Sequence, residues 1–147
     1  MATSAKRRLL RRYAAAVLVW LAIGVGGALG TLTRWSIGEA VVASLGSPTF
    51  PWGTLIANVL GCAAIGVVAP IVVRRAAWVA GLVVTGFLGG FTTYSAFAEE
   101  TFALLDRGDV QGVVLAGAYI LVTITATSIA VALGSRFAST RPEGRSA

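Results

Sequence analysis

The sequence contains no histidine and a single cysteine, Cys62. Within one chain this removes histidine-dependent triads, histidine metal sites, an intramolecular disulfide framework and any cysteine cluster for a metal. Charge is sparse: 12% of residues are charged and only six are acidic. Those acids (Glu39, Glu99, Glu100, Asp106, Asp109 and Glu143) stand at the ends of apolar runs, in connections or in the tail. With no nucleophile and base set side by side, the composition argues against an enzyme. A small drug/proton antiporter needs a membrane-embedded carboxylate that protonates, and these acids are poorly placed for that work. The basic excess gives a net charge of +6, but no RNA- or DNA-binding motif accompanies it. Basic residues beside apolar runs report membrane orientation instead.

What the chain has in abundance is apolar length. It is 56% hydrophobic, with a mean hydropathy of +0.83, which is a membrane composition. Four apolar spans stand out, at about Tyr13 to Thr33, Thr54 to Val73, Trp78 to Phe97 and Val110 to Leu133. Each reaches the roughly 20 residues that a bilayer crossing needs. The connections are too short for a further domain. The spacing predicts one all-helical membrane domain over residues 13–134, a basic segment over 1–12 and a basic, unstructured tail over 135–147. Lys6-Arg7-Arg8-Leu9-Leu10-Arg11-Arg12 resembles the n-region of a secretory signal, but no small-residue cleavage site follows. We read it as a cytoplasmic anchor.

The third span carries the most unusual stretch, Thr85-Gly86-Phe87-Leu88-Gly89-Gly90-Phe91-Thr92-Thr93-Tyr94-Ser95-Ala96-Phe97. Its three glycines and four serine and threonine hydroxyls suit either close packing through small residues or a break in the helix at mid-membrane. A break is tolerated there only where protein or a polar cavity takes up the freed backbone groups, and freed carbonyls can hold a cation. In the first span, Gly26 and Gly30 make a small face, with Arg34 one turn further on. Arg34 reads as an interfacial cation snorkelling beside Trp35, or as a cation drawing an anion toward a vestibule. Glu39 to Phe50, with Pro48, reads as a loop. In the second span Gly53, Ala57 and Gly61 recur every four residues. Asn58 beside them is either interhelical glue or a donor lining a polar path. Arg74-Arg75 marks a tight turn and Asp106-Arg107-Gly108-Asp109 a polar one. Glu100 falls roughly 15 Å past Gly90 along a helix, near the hydrocarbon edge. Thr123, Ala126, Thr127, Ala130 and Gly134 form one small, weakly polar stripe.

Taken in this order and spacing, the chain resembles the Fluc/CrcB family of fluoride channels over all four spans. The resemblance rests on the glycine-rich first span ending in Arg34, Gly53-Thr54-Leu55-x-x-Asn58-x-x-Gly61, the Gly86-to-Phe97 stretch, and Glu100. It implies a four-helix subunit with its third helix broken at the centre, paired antiparallel with a second subunit around two narrow fluoride pores. It implies passive fluoride export across the cell membrane that relieves fluoride toxicity. A structural, non-transported Na+ is expected at the dimer centre, held by backbone carbonyls that match Gly89 and Thr92. Asn58, Tyr94, Ser95 and Phe97 match the fluoride path, Thr123 and Thr127 could add hydroxyls, and Arg34 and Glu100 belong to a vestibule or to packing. Tyr94 stands where the family usually has phenylalanine, and Ala96 where threonine is common. The aromatic edge survives in Tyr94, while its hydroxyl adds bulk and a donor at a narrow point. The rival functions are a four-helix drug/proton antiporter and a non-conducting partner subunit of a heterodimer.

The charge bias bears on that pairing. Lys6, Arg7, Arg8, Arg11, Arg12, Arg74, Arg75, Arg136, Arg141 and Arg145 fall on one side of the membrane, against Arg107 and at most Arg34 on the other. Both termini are therefore expected in the cytoplasm. A chain with a fixed orientation would need an oppositely inserted sister to form an antiparallel pair, whereas a homodimer needs one chain that inserts both ways.

Overall fold

The structure, a computed structural model, describes residues 2–46 and 49–140. It is all-helical: α1 (Ala2–Leu45), α2 (Trp52–Val72), a composite third span, and α6 (Val110–Ser139). The third span consists of α3 (Ala77–Ala80), a π-helical segment (Gly81–Leu88), α4 (Gly89–Phe91) and α5 (Tyr94–Leu105). Each of the four spans contains an apolar stretch long enough to cross a bilayer, yet only 11% to 28% of those stretches is buried within the chain. Apolar surface facing outward on every span is the arrangement of a multi-pass membrane protein.

The first span is much longer than the sequence pattern suggests. The basic segment is not a separate lead-in, since α1 already runs from Ala2. Nor is Glu39 to Phe50 a loop: α1 continues to Leu45, and the turn starts at Gly46, whose φ of +72° suits glycine. No proline interrupts residues 34–45, and their one glycine, Gly38, stays helical. Ser36 and Ser44 donate their hydroxyls to the carbonyls of Leu32 and Ala40 one turn back, so the helix has no local reason to stop. At the other terminus α6 reaches Ser139, where an unstructured tail was expected from residue 135. Residues 141–147, with Arg141 and Arg145, lie outside the described residues.

The spans alternate in direction, which places the start of α1, the Arg74-Arg75 turn and the end of α6 at one end of the bundle. Helix contacts are made through glycine. A Cβ on Gly26 or Gly30 would collide with the backbone of the π-helical segment at Leu82 and Phe87, so α1 can lie this close only without one. Gly90 meets Gly27 in the same way, and Gly66 of α2 meets Gly134 of α6. The fourth-span stripe therefore divides. Ala130 and Gly134 are buried, the latter against α2, while Thr123 and Thr127 face a groove. A small core of Leu55, Leu104, Ala116 and Tyr119, with Phe50 and Phe97 against it, ties α2, α5 and α6 together at the far end.

Candidate functional site: an uncharged groove at a broken helix

The third span does break near its middle, but not at the glycines. Gly89 keeps helical torsions (φ −67°, ψ −34°), and Gly89–Phe91 forms a last α-turn. The chain extends at Thr92 (φ −83°, ψ 147°) and Thr93 (φ −145°, ψ 128°), and a new helix starts at Tyr94. The reason lies in where partners are available. The Asn58 carboxamide accepts a hydrogen bond from the Thr93 N–H at 2.8 Å and donates one to the Thr93 carbonyl at 3.0 Å. One side chain thereby satisfies both polar groups of the extended residue, as a β-strand neighbour would. The Thr93 hydroxyl also accepts from the Ala96 N–H at 3.2 Å and caps α5. Gly86 and Gly90 have another task, which is to let α1 approach.

The break leaves carbonyls over. Thr92 N–H still reaches the Leu88 carbonyl at 3.0 Å. The Gly90 carbonyl is met by the Thr31 hydroxyl at 3.4 Å and by Arg34 Nε at 3.5 Å, both at the outer limit of a hydrogen bond. Because Thr93 N–H turns to Asn58, the Gly89 carbonyl loses its helical donor. Among the described residues no donor meets the carbonyls of Gly89 or Thr92. Both residues line the same groove. Such a donor set, neutral oxygens without carboxylate, thiolate or imidazole, suits a hard monovalent cation. No cluster of acidic or sulfur ligands is present among the described residues.

That groove is about 900 Å³ and opens on the outer face of the bundle. Its polar rim is made by Asn58, Thr92, Thr93, Thr123 and Thr127, its aromatic edge by Tyr94 and Phe97, and no charged side chain lines it. Tyr94 is 80% exposed. Its ring lies 5.9 Å from that of Phe97, which in turn lies 5.1 Å from Tyr119. Thr127 gives its hydroxyl to the Thr123 carbonyl at 2.7 Å, whereas the buried Thr123 hydroxyl has no partner among the described residues. Ser95 does not line the groove; its hydroxyl pairs with that of Thr93 at 3.1 Å.

Arg34 and Glu100 are brought together elsewhere, on a second cavity of about 420 Å³ between the end of α1, the start of α2 and α5. Glu100 is held by two hydroxyls, that of Thr54 on Oε1 and that of Tyr119 on Oε2, each at 2.6 Å. The carboxylate thus joins three spans. Sequence reasoning gives Thr54 no role of its own beyond its place in the Gly53-to-Gly61 segment, and gives Tyr119 none. Each carried a signal, since Thr54 lies one helical turn before Asn58 on the same face, and a tyrosine hydroxyl within an apolar span needs a partner. Tyr119→Phe removes one of the two short bonds and leaves Oε2 without its donor. We expect a loss of about 1–3 kcal/mol, read as a lower denaturant midpoint in detergent, while Tyr119→Trp should fare worse because Tyr119 is fully buried.

A four-span helical membrane protein with an uncharged, largely apolar groove that carries a few hydrogen-bonding groups at a broken helix belongs to the class of membrane channels and carriers. Comparison with known proteins narrows the class. Residues 21–135 match the family described as CrcB-like protein, Camphor Resistance (CrcB). A protein of Rhizobium leguminosarum bv. trifolii named fluoride-specific ion channel FluC is 42% identical over 117 residues, covering 78% of this chain and 90% of that protein. A protein of the same name from Francisella philomiragia is 39% identical over 127 residues, covering 82% and 94%. One from Bordetella bronchiseptica is 45% identical over 96 residues, covering 63% and 72%. The chain belongs to the CrcB/FluC family.

Proposed function

We infer that this chain is a fluoride-specific ion channel subunit that lets fluoride leave the cell passively and so limits fluoride toxicity. The observation that carries the reading is the groove. It presents donors and aromatic edges to an anion, yet contains no cation that would trap it. Aromatic edges are electropositive, so Phe97 and Tyr94 can face a small anion, and the second donor hydrogen of the Asn58 amide lies beside them. Of the two groove threonines, Thr123 keeps a hydroxyl that is unpartnered among the described residues and could serve the path, while Thr127 gives its own to the Thr123 carbonyl. Conduction needs binding weak enough to release, which neutral donors provide. Ser95 contributes less directly, through its bond to Thr93. Arg34 and Glu100 serve a vestibule and the packing around it.

An open groove on one subunit needs a cover, and we infer an antiparallel second subunit. The Gly89 and Thr92 carbonyls, with their counterparts in that subunit, would hold a structural Na+ whose charge balances the gathered carbonyl dipoles. The drug/proton antiporter reading is disfavoured because no carboxylate lines the groove. The partner-subunit reading has one observation in its favour, the charge bias, which points to plasma-membrane insertion with both termini cytoplasmic and a sister chain of opposite bias. Passive fluoride efflux from liposomes holding this chain alone, with chloride as control, tests the function. Rapid fluoride flux that excludes chloride is expected of a self-sufficient homodimer. Flux seen only after co-expression with an oppositely inserted sister assigns the chain to a heterodimer. Chloride flux equal to fluoride flux would overturn the proposed selectivity.

A further inference from the structure

The family match starts at residue 21, so the basic opening of α1 lies outside it. That segment is helical and continuous with the first span. Lys6, Arg7, Arg11 and Arg12 are exposed. At 100° per residue, Arg7, Arg8, Arg11 and Arg12 occupy an arc of roughly 140°, and Leu9, Leu10 and Tyr13 the opposite one, with Lys6 among them at the outer end. Leu9, Leu10 and Tyr13 are also exposed.

The register against the third span fixes how far this segment projects. Gly81 lies against Val19 and Ile23, and the two spans run parallel, since Gly90 lies against Gly27. The Arg74-Arg75 turn is therefore level with about residue 15 of α1. Trp20 and Trp78 mark an interfacial aromatic belt at this end, and both are exposed on the outer surface. Arg11 and Arg12 stand roughly one turn beyond the Arg74-Arg75 level and Arg7 roughly two turns, a span of about 5–11 Å at 1.5 Å per residue. The headgroup layer is roughly 5–8 Å thick on each side of the hydrocarbon, so these guanidinium groups stand in it or just above it. Every acid of the described residues lies at the opposite end of the bundle: Glu39, Glu99, Glu100, Asp106 and Asp109. Nothing in this segment's own sequence neutralises it, because Glu39 is the first acid of the chain.

We propose that the basic start of α1 is a binding surface for anionic phospholipid headgroups, collecting them around this end of the bundle. The partner is the phosphodiester of an anionic lipid in the adjacent leaflet, with its acyl chains against the exposed apolar flank of α1. A basic residue close to an anionic bilayer strengthens association about fivefold, so several acting together should select anionic lipid over zwitterionic lipid clearly.

The chain's own tryptophans report on the two ends separately. In a Trp35→Phe, Trp52→Phe protein, only Trp20 and Trp78 remain, both at the basic end. Reconstituted in mixed vesicles, it should be quenched by brominated phosphatidylglycerol about fivefold more effectively than by brominated phosphatidylcholine. The converse Trp20→Phe, Trp78→Phe protein should show little preference. Brominated lipid in both leaflets makes the result independent of insertion direction. Replacing Lys6, Arg7, Arg11 and Arg12 with glutamine should bring the preference at Trp20 and Trp78 close to one, and replacing the three arginines with lysine should retain it. Equal quenching by both lipids at the basic end, equal preference at both ends, or a preference undiminished by the glutamine substitutions would each overturn the proposal.

Discussion

Replacing Asn58 with leucine is expected to cost most of the stability of the fold and all of its ion flux. The amide is buried, and it is the partner of both backbone groups of Thr93. Leucine fills a similar volume but leaves an N–H and a carbonyl unpaired at membrane depth, each worth about 1–3 kcal/mol. The combined loss is large against a total stability of roughly 5–15 kcal/mol. Denaturant unfolding in detergent should show a much lower midpoint, and fluoride efflux should vanish. Asn58→Asp should lower both stability and flux. Ionised aspartate still accepts from Thr93 N–H, but it cannot donate to the Thr93 carbonyl and buries a charge with no cation beside it, so stability should fall at least as far as for leucine. Its charge would repel an anion from the groove, so efflux should fall as far as in the leucine variant. A leucine variant as stable as the original chain would mean that the break is held by something other than this amide.

The break also shows what a sequence pattern can and cannot say. Gly86 to Phe97 is the one stretch whose composition argues against a plain lipid-facing helix, and an interruption does occur within it. The glycines drew attention to residues 89 and 90, yet the chain opens at 92 and 93. Glycine at 90 answers a steric demand from α1, visible only once α1 is seen to pass within backbone contact of it, whereas a Cβ on Gly89 would meet only the Val84 carbonyl at 3.8 Å. The position of the break is set by Asn58, whose distance from Thr93 is a fact of packing between spans. Either reading of Asn58, glue or donor, was consistent with the sequence. The structure shows the glue directly, and one amide hydrogen remains for the other role.

The remaining differences have similar causes. The length of α1 was underestimated at both ends because hydropathy marks the apolar part of a helix and says nothing about where the helix itself stops. Residues 34–45 are less apolar than the span before them, yet contain no proline, and their one glycine, Gly38, is carried within the helix, which runs on to Leu45. The eight-residue π-helical segment, Gly81–Leu88, has no signature in hydropathy. It lies where Gly81 and Gly86 are pressed against Val19, Ile23 and Gly26 of α1, and π-turns recur at such constrained sites. Glu100 was read as an acid near the hydrocarbon edge. Its place at the junction of three spans depends on Thr54 and Tyr119, which lie 46 and 19 residues away in sequence.

If orientation is fixed by charge, a cysteine placed at either end of the bundle should react from one side of the cell membrane only. In a Cys62→Ala background, Val110→Cys stands at the first position of α6, where Val110 is 81% exposed. Ala5→Cys stands in the basic segment at the opposite end. A membrane-impermeant maleimide added to intact cells should label nearly all Val110→Cys and almost no Ala5→Cys, with the second site opening only after lysis. The basis is the lopsided distribution of lysine and arginine, which short connections allow to act on insertion. Arg74→Gln and Arg75→Gln, added to glutamine at Lys6, Arg7, Arg11 and Arg12, should move the chain toward equal labelling at both sites. The consequence for function is direct. A chain that enters the membrane one way cannot cover its own groove in antiparallel fashion, so cells expressing it alone should not release fluoride, and an oppositely biased sister should restore release. Labelling of both sites in the unaltered charge background would remove the need for a sister, and the six glutamine substitutions would then leave fluoride release unchanged.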